Sequence, residues 1–208
     1  MSTGTPDGLA RPAPTFRFSA RDLVNVAIFG VVFIVVSYAI GMLGIISPLT
    51  WLVMVPVSIV VNGITYMLFL TRVKHAGMVT LFAGVVGLFY LLSANTVLST
   101  VLILLLGVAA EVVLWAGRYR SKRAAVLSYA VFALGYLTPF LPLLLDRESY
   151  FSGPSWSGLG SEYVDAADRL LSAPVLGVLA AAVLLAGLLG GLLGSAILRR
   201  HFVRAGLA

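Results

Sequence analysis

Long apolar runs, rather than alternating apolar and polar faces, organise this chain. Five of them can cross a hydrocarbon core, which needs about 20 apolar residues: Leu23 to Leu43, Leu49 to Leu70, Val97 to Gly117, Ala124 to Leu145 and Pro174 to Leu198. A sixth run, Met78 to Leu92, is shorter, but it carries no charge and is followed by polar Ser93, Asn95 and Thr96. The pattern predicts six transmembrane helices. The first span follows a polar stretch and is longer than a signal-peptide apolar region, so it is expected to be retained as a helix.

Composition agrees. The chain is 60% hydrophobic and only 11% charged, with mean hydropathy +1.05, well outside the range of soluble domains. The fold class expected is an all-α integral membrane protein. It divides into a polar segment over 1–22, a six-helix membrane domain over 23–198 and a basic tail over 199–208. No cysteine is present, which rules out disulfides and thiolate metal sites.

Charge sets the orientation. Arg11, Arg17 and Arg21 precede the first span and Arg72 and Lys74 follow the second. Arg118, Arg120, Lys122 and Arg123 follow the fourth, and Arg199, Arg200 and Arg204 follow the sixth. With six crossings these twelve of the fourteen basic residues share one side. The other side keeps Arg147 and Arg169 beside Asp146, Glu148, Glu162, Asp165 and Asp168. The positive-inside rule then places both termini in the cytoplasm. The net charge of +6 follows from these loops and is no sign of nucleic-acid binding.

The outer connections are short except the one between spans five and six, "DRESYFSGPSWSGLGSEYVDAADRLLSA", which has the length of a lid, a binding loop or a simple tether. Its second half, with Ser161 as a cap, an acidic first turn and Tyr163, Ala167 and Leu170 on one face, predicts a short amphipathic helix on the outer mouth. Pro56, Pro139 and Pro142 fall in the outer halves of spans two and five. There each removes a helical hydrogen bond and frees a carbonyl, near Leu52, Gly135 and Thr138, which predicts either a watered outer cavity or packing kinks. In the last span Gly187, Gly191 and Ser195, with Gly190 and Gly194, make a smooth surface suited to close packing within the bundle. Glu111 is the only acid inside a span; its closeness to the cytoplasmic end suggests a structural role, with Arg118 in reach. Asn62 is the polar residue at mid-depth in span two.

Several chemistries lack their residues. Neither lysine, Lys74 or Lys122, sits in a phosphate-binding loop pattern, and there is no HExxH zinc motif. Both histidines, His75 and His201, fall in cytoplasmic flanks, so no Ser–His pair is expected at membrane depth. The chain is read as non-enzymatic, without catalytic residues or an intrinsic cofactor or metal.

The stretches "ITYMLFLTRVKHAGMVTLFAGVVGL", "YAVFALGYLTPFLPLLLDRESYF" and "GGLLGSAILRRHFVRAGLA" resemble the MptD/Trep-Strep family of substrate-binding (S) components of energy-coupling factor importers. The similarity runs from about Arg21 to the C-terminus. It implies a six-helix subunit of the bacterial plasma membrane, surrounded by lipid, which binds a scarce nutrient from outside. It also implies partners: a transmembrane coupling protein and two cytoplasmic ATPases, which explains why a phosphate loop is missing here. Many such subunits meet the coupling protein through an Ala-x-x-x-Ala pattern in their first helix. The matching stretch, "LVNVAIFGVVF", offers Ala27 and Gly30 but has Val31 where the second alanine belongs.

The implied substrates are vitamins, corrinoids or haem. Candidate ligand-binding residues in the outer half are Trp51, Met54, Tyr90, Asn95, Tyr136, Tyr150, Phe151, Trp156 and Tyr163, a largely aromatic set with a few polar tips. Membrane-interface anchoring is the competing use of each aromatic. A bare nickel or cobalt ion is disfavoured because no outward His or Cys exists, and haem would be held without an axial His. Two other classes stay open: a self-sufficient secondary transporter, for which Asn62 is the one mid-depth polar candidate, and a membrane scaffold with no cavity.

Overall fold

The structure, a computed structural model, describes residues 18–204 apart from 74, 94 and 154; the side chains of 200–204 are outside that description. Arg11, Arg17, Lys74, most of the expected 1–22 segment and the side chains of Arg200, His201 and Arg204 therefore lie outside the described residues. Among those described, every regular element is helical.

Helix boundaries follow local chemistry. Helix α1 (Ala20–Gly41) starts at a capping box, in which the Ser19 hydroxyl accepts from the Asp22 N–H and Asp22 Oδ2 accepts from the Ser19 N–H at 2.9 Å. A 3₁₀ turn, Met42–Ile46, leads to Ser47, which caps α2 (Pro48–Leu70) ahead of a proline at its first position. Thr96 caps α4 (Val97–Ala116) and Ser121 caps α5 (Lys122–Ala133). Helix α3 (Met78–Leu92) has no local side-chain cap; it begins after Gly77, whose φ of +93° suits glycine. Its cap comes from Glu111 on α4, whose Oε2 accepts from the Val79 and Thr80 N–H groups at 2.8 and 3.1 Å.

The fifth predicted span is interrupted. It runs as α5, a 3₁₀ segment over Leu134–Phe140, and the short α6 (Leu141–Leu145), because Pro139 and Pro142 deny the helix two donors. The freed carbonyls are occupied by hydroxyls: Thr138 Oγ1 donates to Gly135 O at 2.9 Å and Ser99 Oγ donates to Thr138 O at 3.0 Å. The excursion that follows contains α7 (Arg147–Phe151) and α8 (Ser161–Leu170) before α9 (Ala173–Arg204). The amphipathic helix stands where expected, but its N-cap is Gly160 at φ +79° rather than Ser161, which is already helical.

Helix α9 lies between α2 and α5, and its glycines divide the work. A Cβ built on Gly187 would meet Ala130 and Ala133, and one on Gly191 would meet Val126 and Met67. Gly190 and Gly194 instead press on the backbone of Ile59, Val60 and Gly63. The matched positions fall in opposite order for α5 and in the same order for α2, so α9 runs antiparallel to α5 and parallel to α2. Helix α3 pairs with α4 in antiparallel register through Ala83–Gly107 and Gly87–Thr100. It runs alongside α1 in the same direction, from Asp22–His75 at one end to Tyr38–Phe89 at the other. A stack of Phe33, Tyr66, Phe69, Phe82, Tyr129 and Phe132 fills the centre.

Among the described residues, five helical stretches are long and apolar enough to cross a membrane: Ala20–Ile46, Pro48–Leu70, Val97–Ala116, Lys122–Leu145 and Ala173–Arg199. Helix α3, at 15 residues, reaches about 22 Å at 1.5 Å per residue, against roughly 30 Å of hydrocarbon.

Candidate functional site

The excursion between α6 and α9 folds back on the bundle end formed by the α1–α2 turn, the start of α4 and the proline-broken segment. Together they enclose a cavity of about 560 Å³, within the size range of small-molecule sites. Trp51, at the start of α2, forms one wall; its ring lies 4.8 Å from that of Phe140 and 5.8 Å from that of Trp156. Pro139 and Pro142 form another wall, where the broken helix leaves space. Polar groups reach the cavity from Asn95, Thr96 and Ser99 at the α3–α4 junction and from Asp146.

The roof is an aromatic cluster centred on Trp156, which is only 6% exposed although it sits in a turn. Its ring meets those of Phe151, Tyr150 and Tyr163 at 4.9, 5.5 and 6.4 Å. Two polar links organise the roof, one to the bundle and one within the excursion itself. The Tyr163 hydroxyl donates to Gly44 O at 2.8 Å, tying α8 to the α1–α2 turn. Arg147 binds the end of α8: its Nε is 2.6 Å from Asp168 Oδ1, one Nη donates to Leu171 O at 2.8 Å, and the other donates to Asp168 O. The guanidinium also lies over the Phe151 ring, 5.5 Å from its centroid. Asp146 caps α7 by accepting the Ser149 N–H at 3.0 Å. The Asp146-Arg147-Glu148 triplet thus contributes a cap, then a clamp. Burial pushes the phenols of Tyr150 and Tyr163 up, so both stay protonated at neutral pH and Tyr163 keeps its donor.

Of the nine candidate ligand residues, the fold brings Trp51, Asn95, Tyr150, Trp156 and Tyr163 to the cavity and leaves four elsewhere. Phe151 packs behind Trp156 and Tyr150 as part of the roof. Tyr90, near the end of α3, is half-buried; its carbonyl accepts the Asn95 N–H. Met54, half-buried on α2, does not line the cavity. Tyr136 sits in a polar cluster with Ser37 at 2.7 Å, Asn62 at 3.2 Å and Ser58 at 3.3 Å. Asp146, Thr96 and Ser99 line the cavity without having been singled out as ligand residues; the charge triplet was the signal for Asp146.

Two further positions differ from expectation. Ala27 is exposed on α1, whereas Gly30 faces α3, where a Cβ would sit 2.8 Å from Val85 Cγ1. The two therefore do not share an outward face. Glu111 makes no ion pair with Arg118 among the described residues; besides capping α3, it accepts a hydrogen bond from Tyr119 at 2.6 Å. Burial first, and then this carboxylate, hold the Tyr119 phenol above its ordinary range.

The family profile described as "Hypothetical bacterial integral membrane protein (Trep_Strep)" matches residues 20–204. No curated protein and no solved structure matches the chain.

Proposed function

The chain belongs to the Trep_Strep family of bacterial integral membrane proteins, and from that premise we propose that it is the substrate-binding subunit of an energy-coupling factor importer. On this reading the bundle crosses the bacterial plasma membrane six times, α3 is the short crossing, and both termini are cytoplasmic. The parallel pairing of α1 with α3, and of α2 with α9, supports an alternating path of six crossings. The segregation of basic side chains to the end opposite the cavity supports the orientation.

The observation that carries the reading is the roofed cavity at the acid-rich end of a chain with no nucleotide-binding motif. Such a subunit captures a micronutrient, whether a vitamin, a corrinoid or a haem-like molecule, and relies on partners for energy. The partners are a transmembrane coupling protein and two cytoplasmic ATPases, with the exposed face of α1 around Ala27 and Val31 as the docking surface.

The test is co-expression. The chain should co-purify with a coupling protein and two ATPases, and uptake in vesicles should stop when the phosphate-loop lysine of those ATPases is replaced. ATP-independent uptake by the chain alone would overturn the proposal. It would favour a secondary transporter instead, a reading with one observation behind it: buried Asn62, bonded through Nδ2 to Ser37 and Tyr136, has no hydrogen-bond partner for Oδ1 among the described residues.

A further inference from the structure

The charge and ring content of the outer cavity narrow the ligand class, an inference that rests on the cavity being the binding site. We infer that the cavity selects ligands with a planar ring and a neutral or positively charged substituent, and discriminates against the same ring bearing an anionic one.

Three observations lead there. The first is the lining: Trp51, Tyr150, Trp156 and Tyr163 border the space, and ring faces attract both flat apolar groups and cations. The second is the local charge. Among the described lining residues none is Lys, Arg or His, while Asp146, exposed at the rim and capping α7 through Oδ1, is an acid. An anionic ligand entering here would give up water without gaining a cationic partner, and it would face a like charge.

The third is where the nearest cation has gone. Arg147 follows Asp146 directly, but its guanidinium is turned to the end of α8, held by Asp168 and the Leu171 carbonyl and lying over Phe151, which does not line the cavity. It is thus committed to the roof rather than to neutralising the site. The surroundings add to the bias, since the connection from Asp146 to Ser172 holds five acidic residues against two arginines. That field favours the approach of cations and weakens as salt is raised. Within the substrate classes considered, a carboxylate-bearing ligand such as haem with its propionates fits least well.

The experiment uses the full chain in a neutral maltoside detergent and three probes that share one ring: tryptamine, indole-3-ethanol and indole-3-acetate. Isothermal titration at low salt should rank them cation, neutral, anion, with tryptamine about tenfold or more ahead of indole-3-acetate. Asp146→Asn keeps a good N-cap for α7. It should narrow the lead of tryptamine over indole-3-ethanol and leave the neutral probe unchanged. Equal or tighter binding of indole-3-acetate, an unchanged lead of tryptamine in Asp146→Asn, or no binding of any probe at millimolar concentration would overturn the inference. Transport is scored separately: loss of ATPase-dependent uptake would defeat the importer reading while leaving the probe ranking intact.

Discussion

Replacing Trp156 by alanine should detach the roof while leaving the bundle folded. The side chain is 6% exposed and its ring meets four others, those of Trp51, Tyr150, Phe151 and Tyr163. Truncating a buried tryptophan costs about 3–5 kcal/mol. Because Trp156 lies in a turn outside the spans, that loss falls on roof docking. What still ties the roof to the bundle is the Tyr163–Gly44 hydrogen bond, worth roughly 1 kcal/mol, and the packing of buried Ala167 and Leu171; the Arg147 clamp joins α7 to the end of α8 within the roof. At 1.4 kcal/mol per tenfold, the open population should rise by about a hundredfold to a thousandfold. Hydrogen exchange in nanodiscs reads this directly. The amides of Leu159, Val164 and Leu171, which bond to Trp156 O, Gly160 O and Ala167 O, should exchange faster by that factor. Amides in α2 and α9 should not change. If the roof amides exchange as in the parent, the ring cluster does not hold the roof; if α2 and α9 accelerate equally, the roof is not a separable unit.

Three other outcomes are expected. Glu111→Ala orphans the buried N–H of Val79, worth about 1–3 kcal/mol, and the part-buried N–H of Thr80, and should lower the melting temperature in detergent; an unchanged melt would refute the capping role. Gly63→Ala drives a Cβ into the Gly190 backbone, where nothing flexible can yield, and should destabilise the bundle by about 1–3 kcal/mol. Gly177→Ala, with nothing within 4 Å, is the control and should melt like the parent. For orientation, a cysteine at Ser157 should react with an impermeant thiol reagent in intact cells and one at Ser121 should not; reversed labelling would invert the topology and place the cavity on the cytoplasmic side.

The parts of the fold legible in the sequence are those set by composition over a long window or by a residue with one backbone effect. The long apolar runs became helices, and Pro139 and Pro142 broke the fifth. The glycines of α9 became contact stripes because a missing side chain admits a neighbour wherever that neighbour lies. What the sequence hid was rotation. Helix α1 is apolar on every face, so its periodicity carries no phase, and nothing local separates exposed Ala27 from buried Gly30. The same limit applied to the aromatics: Trp51 and Met54 share the first half of α2, yet only Trp51 meets the roof. Glu111 was hidden differently. Its partners, Val79 and Thr80, precede it by some thirty residues, and no pattern within α4 signals that a neighbouring helix lacks a cap.

The division between tight and loose packing sets which parts of the molecule can move. Around α9, backbone meets backbone at Gly63–Gly190 and Gly63–Gly194, and the Tyr129 hydroxyl donates across to Ile59 O, so α2, α5 and α9 form a unit with little room for sliding. Helix α1 buries only Asp22, Val26, Gly30 and Phe33. Its outer face is large and apolar, and its polar ties within the described residues are the Asp22–His75 pair at one end and Ser37 with Tyr136 and Asn62 further along. The roof meets the bundle through rings, the buried Ala167 and Leu171 of the α8 end, and the Tyr163–Gly44 hydrogen bond, while the Arg147 clamp joins α7 to α8 within the roof. On the proposed reading, a ligand is admitted or released by lifting the roof, at a cost set by Trp156, the Tyr163–Gly44 bond and buried Ala167 and Leu171, without disturbing the glycine seams. On the same reading the coupling protein engages α1 from the lipid side. If the chain is the binding subunit proposed above, capture and docking act on different helices, which is the separation a subunit without its own motor requires.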